Sequence, residues 1–354
     1  MSVKNDTCLL VIKNVHEKTV YFHNKINNEK GDNLSSRVQW IDYAKGVGIL
    51  SIILGHSGFP QMKYLFWFHV PLFFIISGFL NKRGYEQKFT DFFRKKIISL
   101  WIPYYVYGIL CILLFQVLVW EFDASFICKE LLKLIYSGTK VTGIIGAFWF
   151  IPVLFFTEII FYFYQKINKK AIKIAFLFTC YFTFQLVFQY ITLPMDINVI
   201  PIAIVFFSIG VYMKENWQRR VIISKLAIVI LLVFMFFFHL KLVDLNIDLK
   251  NAVASPLIIN IIVPVAICQL IFVISIFLEK KKGLPLNMLA FFGKESLYFM
   301  LTHNLIINFL EVKGVHSWYI VFIITIIVSL LLYYPIILIT QYIIKIINVS
   351  NWRS

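Results

Sequence analysis

Apolar runs of roughly 20 residues, separated by short polar stretches, recur along nearly the whole chain. A helix rises about 1.5 Å per residue, so each run can cross a hydrocarbon core about 30 Å thick. The pattern predicts ten spanning helices, over 41–59, 64–81, 97–120, 144–165, 172–191, 197–213, 221–240, 256–278, 286–310 and 318–344. Residues 1–36 are polar and lack the apolar core of a secretory leader, which predicts a cytoplasmic tail. Residues 347–354 form a second short tail. The loop over 121–143 ends in SGTKVTGIIG, a series expected to be flexible, suited to a rim over a site or to plain connection.

Composition sharpens this into a class. Hydrophobic residues make up 60% of the chain, 37 of them Phe, and the mean hydropathy is +0.80, more apolar surface than a soluble domain can cover. The expected fold is all-α, a polytopic membrane helix bundle. Its 34 Lys and Arg sort unevenly between the two sides, 25 on one and seven on the other, with Lys45 and Lys294 inside spans. Basic residues mark the cytoplasmic side, so both termini are expected there. That inner belt accounts for the +16 net charge, attracts anionic lipid and disfavours a nucleic-acid partner. The five Cys show neither CxxC nor paired spacing, and no metal site is expected.

Ionisable residues inside apolar runs narrow the function. His56, His69 and His303 lie in three different spans, all toward the outer half of the membrane. On the first span Lys45 and His56 are eleven positions apart. Eleven steps of about 100° return to within about 20° of the same face, about 16 Å further along the axis. Asp42 falls near that face, giving a polar stripe of carboxylate, ammonium and imidazole, while Gly46, Gly48 and Gly55 leave room for a helix or ligand. His69 equally suits a hydrogen bond to a neighbouring helix, and His303 equally suits water at a helix end.

Taken together, RVQWIDYAKGVGILSIILGHSG and FWFHVPLFFIISGFL resemble the opening of acyltransferase family 3, particularly its fucose 4-O-acetyltransferase-like branch. The family hallmark is a basic residue, ten residues and a histidine, here Lys45 and His56. AFWFIPVLFFTE, DINVIPIAIVFFSIGVYMK and FFGKESLYFMLTHNLI match later segments in order, and the resemblance places a transmembrane acyltransferase domain over 37–346.

The resemblance implies a bacterial plasma-membrane enzyme. It would take an acetyl group from cytoplasmic acetyl-CoA and deliver it to a sugar hydroxyl of an extracytoplasmic or lipid-linked glycan. A hydroxyl needs a base to become a nucleophile, and His56 is assigned that role, with a transient acyl carrier as its alternative. His69 is a second catalytic candidate, orienting His56 or polarising the carbonyl. Lys45 is a candidate for the donor's phosphates or for an ion pair with Asp42, and the cluster Arg94, Lys95 and Lys96 is a second phosphate candidate, although such a cluster also serves as a positive-inside anchor. Trp149, Asp196 and His303 are candidates for the acceptor sugar, Asp196 equally for a helix cap. Asp42, Glu158 and Ser296 are expected to orient or support. Many relatives carry Arg where this chain has Lys45, so the bidentate grip on an anion is lost. A succinyl donor and a polytopic secondary transporter are the alternative readings.

Overall fold

The computed structural model describes residues 38–81, 88–120, 122–281 and 283–350. The expected tail over 1–36 and the chain beyond Ser350 lie outside the described residues. What is described is almost entirely helical. The helices are α1 (Gln39–His56), α2 (Met62–Phe66), α3 (His69–Leu80), α4 (Phe89–Lys96), α5 (Ile102–Val119), α6 (Ala124–Tyr136) and α7 (Phe150–Gln165). They continue with α8 (Lys170–Leu186), α9 (Ile200–Glu215), α10 (Arg220–His239), α11 (Ile259–Glu279), α12 (Leu284–Lys294), α13 (Ser296–Val312) and α14 (Trp318–Ser350). The last helix runs past the expected boundary at 346.

Eight helical segments among the described residues are long and apolar enough to cross a membrane. This fits the expected polytopic bundle, but two of the ten expected spans are not among the eight. The first, α1, is a continuous helix made more polar by Asp42 and Lys45, and it is surrounded by protein on most of its length. The second, over 286–310, is broken at Glu295, which leaves helical geometry (φ −100°, ψ 22°) and separates α12 from α13. The break lies beside a close crossing: a Cβ on Gly293 would overlap the Asp42 carbonyl oxygen and one on Gly46 would overlap that of Leu289.

A second crossing of the same kind joins α3 to α9, with Gly78 against the Phe207 carbonyl and Gly210 against that of Ile75. Small residues let backbones approach where lipid supplies no hydrophobic drive between helices. Burial grades outward from these pairs: 78% of the apolar window over Gly143–Gln165 is buried, against 17% over Trp217–His239. The α7 segment is therefore interior and α10 peripheral.

Two features on the lysine-poor side depart from plain loops. The segment after α6 packs against the protein: Ser137, Val141, Ile144 and Ile145 are buried and carry the chain inward to Trp149. Between α10 and α11, β1 (Asn246–Asp248) pairs antiparallel with β2 (Val253–Ser255) in the register Ile247↔Ala254. Leu245, Ile247 and Leu249 point inward and are buried, as strand alternation requires.

Candidate functional site

The hairpin covers a cavity of about 230 Å³. Its walls come from Ile52 and His56 of α1, Phe66 of α2, His69, Val70 and Phe73 of α3, and Ala147, Trp149 and Phe150 ahead of and on α7. Met300 of α13 and residues 247–251 complete it. The walls are mostly apolar and the few polar groups converge, as in binding sites generally.

His56 occupies the last position of α1 and is exposed into this space. His69 is only 7% exposed and His303 is fully buried. His69 stacks obliquely on Phe66, with ring centroids 4.9 Å apart. Its Nδ1 donates to the Leu65 carbonyl at 2.7 Å. A carbonyl only accepts, so this bond fixes the His69 tautomer and leaves Nε2 for the cavity. His303 does not line the cavity, yet its ring lies 5.1 Å from that of His56, inclined at 50°.

Of the residues singled out from sequence, His56, His69 and Trp149 line the cavity together. The others sit elsewhere. Lys45 is half-buried lower on α1, and Asp42 is buried at the crossing with α12. Lys96 pairs with Glu158 at 2.8 Å, tying α4 to α7, while Arg94 and Lys95 are on the exposed side of α4. Asp196 is fully buried, and its Oδ1 accepts the Thr139 backbone N–H at 2.8 Å. It holds the 137–140 turn, where Gly138 has φ +63° and no room for a side chain. Ser296 is buried at the start of α13. Gly46, Gly48 and Gly55 face Leu289, Phe73 and Phe66, so helices and side chains fill the room they leave.

The cavity also contains Asp248, Lys250 and Asn251, which sequence reasoning did not single out. Lys250 Nζ donates to the carbonyls of Val141 at 2.7 Å and Gly146 at 3.1 Å. An ammonium has three protons, so one is left for the cavity. Burial pulls the Lys250 pKa below the ordinary lysine value, opposed by Asp196 and Asp248. Asp248 caps the turn between the strands, accepting from the Asn251 side chain at 2.7 Å. The usable signal was the alternation in LNIDL, which marks a strand and brings the residues after it to one place. Among the described residues, no group of three or more His, Cys, Asp and Glu is placed to hold a metal ion.

The arrangement can take a proton from a hydroxyl at His56 and offers a cation to a developing oxyanion at Lys250. A family model described as "Acyltransferase domain" matches residues 38–338. Nodulation protein NolL of Mesorhizobium japonicum (strain LMG 29417 / CECT 9101 / MAFF 303099) is 28% identical over 149 residues, 38% of this chain. The match spans 37% of that relative's length. No solved structure matches the chain.

Proposed function

Because this chain belongs to the acyltransferase-domain family and has the helices of a multi-pass membrane enzyme, we propose that it is an O-acetyltransferase of a bacterial plasma membrane. It takes the acetyl group from acetyl-CoA on the Lys/Arg-rich, cytoplasmic side and delivers it to a sugar hydroxyl on the other. The observation that carries this reading is that His56, alone of the three intramembrane imidazoles, is exposed in a cavity beside an aromatic wall and a lysine.

In this reading the acceptor hydroxyl lies in the cavity with a sugar face against Trp149. A neutral ring nitrogen of His56 removes the hydroxyl proton as the oxygen attacks the thioester carbonyl carbon. The remaining N–H of Lys250 bonds the oxyanion of the tetrahedral intermediate. Collapse of the intermediate breaks the carbon–sulfur bond, and the imidazolium returns its proton to the departing thiolate. Lys45, about 16 Å down the axis of α1, and Arg94 and Lys95 at the basic face serve the donor's phosphates. Lys96 contributes to this less directly, since it already pairs with Glu158.

The test is mass spectrometry of surface glycan from cells with wild-type protein, His56→Ala or neither, at matched protein levels. An acetyl-sized increment in the wild type alone is expected, with transfer by His56→Ala reduced about 10²- to 10⁴-fold. A succinyl-sized increment would replace the donor, and full activity of His56→Ala would remove it as the base.

A further inference from the structure

His303 poses a hydrogen-bonding problem that its neighbours do not solve. Its Nδ1 lies 2.9 Å from the Phe299 carbonyl oxygen. Since that oxygen only accepts, Nδ1 carries the proton, and in the neutral ring Nε2 is a bare lone pair. That nitrogen is buried and has no hydrogen-bond partner. The adjacent hydroxyl of Thr302 is directed to the Tyr298 carbonyl, and the side-chain amide of Asn308 goes to the Asn304 carbonyl. A buried acceptor left unpaired is destabilising, and an apolar side chain would avoid that cost.

The ring facing His303 is that of His56, at 5.1 Å between centroids. Two imidazoles joined in line by an N–H···N bond have centroids about 5 Å apart, from an N···N distance near 3 Å and about 1.1 Å from each nitrogen to its ring centre. The separation of the two rings is therefore that of a hydrogen-bonded imidazole pair. His303 itself does not line the cavity and cannot reach a substrate there.

We propose that His303 is a positioning residue for His56: its Nε2 accepts one His56 ring N–H, which fixes the His56 tautomer and turns the other, unprotonated nitrogen toward the acceptor hydroxyl. When His56 takes up the hydroxyl proton it becomes an imidazolium, and its bond to His303 becomes charge-assisted and stronger. His303 thus stabilises the state in which the proton has just moved, a role that an orienting partner plays in other imidazole-based sites. The inference rests on the reading of His56 as the base.

The experiment measures steady-state transfer from labelled acetyl-CoA to acceptor glycan by the full-length protein in lipid nanodiscs. Four variants are compared with wild type: His303→Leu, His303→Gln, His56→Ala and the His56→Ala/His303→Leu double variant. His303→Leu is expected to lower kcat about 10- to 100-fold, less than the about 10²- to 10⁴-fold loss of the base itself. KM for donor and acceptor should stay within about threefold, because a residue acting through the base does not contribute uniform binding. His303→Gln carries an acceptor oxygen near the former Nε2 and should recover most of the loss. In the His56→Ala background His303→Leu should change nothing further, since the partner it orients is gone.

Wild-type kcat in His303→Leu together with an inactive His56→Ala would overturn the positioning role and leave the base reading standing. Additive loss in the double variant, or His303→Gln no better than His303→Leu, would likewise assign His303 to packing. Full activity of His56→Ala would overturn the base reading, and with it this one. Should His303→Leu fail to accumulate, the nitrogen-15 spectrum of wild-type histidine rings decides the matter. A single fixed His56 tautomer supports the role, and a mixture of the two overturns it.

Discussion

Lys250 reaches the site from a loop, and its charge state makes it testable by pH. Burial lowers its pKa from the lysine value, so the ammonium is present at low pH and lost at a lower pH than for an exposed lysine. If the protonated form holds the oxyanion, the rate falls as pH rises through that lowered pKa. The expected outcome is an alkaline limb below the ordinary lysine range, moved upward in Lys250→Arg and absent in a slow Lys250→Met, read from kcat against pH. His56, His69 and His303 were legible in the sequence because an imidazole in an apolar helix is expensive and needs a reason. Lys250 was not, because a lysine in a loop needs none. Asp196, at a span boundary, could be read as a sugar ligand or as a cap for backbone N–H groups, and the fold gives its Oδ1 the Thr139 backbone N–H.

At the level of elements, what holds the site together divides into close helix crossings and a pinned hairpin. A side chain at Gly293 would displace α12 from the α1 backbone, and one at Gly78 would displace α3 from α9. Gly293→Leu and Gly78→Leu are expected to destabilise by more than about 3 kcal/mol, the range of severe overpacking, and so to lower thermal unfolding in nanodiscs by many degrees. The hairpin is held at one end by Trp67, whose Nε1 donates to the Leu245 carbonyl at 2.8 Å, and by the exposed pair Lys63–Asp244 at 2.7 Å. At the other end the buried Asn260 donates to the Ala254 carbonyl at 2.6 Å. An exposed ion pair contributes about 0–1 kcal/mol, whereas a buried acceptor stripped of its donor costs about 1–3 kcal/mol. Trp67→Phe should therefore make residues 244–255 more sensitive to protease and slow transfer, and Asp244→Asn should do neither. Apolar run length found eight spans because length and hydropathy are properties of one segment. It did not show the break at Glu295, next to the contact of α12 with α1, nor that residues 137–149 fold inward. Both depend on pairs of segments far apart in sequence.

Across the whole molecule, the cavity and the basic belt lie at opposite ends of α1. The cavity is walled by residues 247–251, in a connection carrying only Lys241 and Lys250. Coenzyme A release in sealed vesicles should therefore require acetyl-CoA on the Lys/Arg-rich face and acceptor on the other. Release with both supplied on the cavity side alone would contradict that division. The backbone contacts at Gly46 and Gly293 add a constraint on size. With carbonyl seated against Cα, α1 and α12 have no space for a side chain between them, and the length from one end of α1 to the other is that of a continuous helix. If the donor's thioester arm runs along α1 as proposed, the helix acts as a ruler, and a pantetheine donor truncated below the span from Lys45 to His56, about 16 Å, should fall short of His56 however well its acyl group fits.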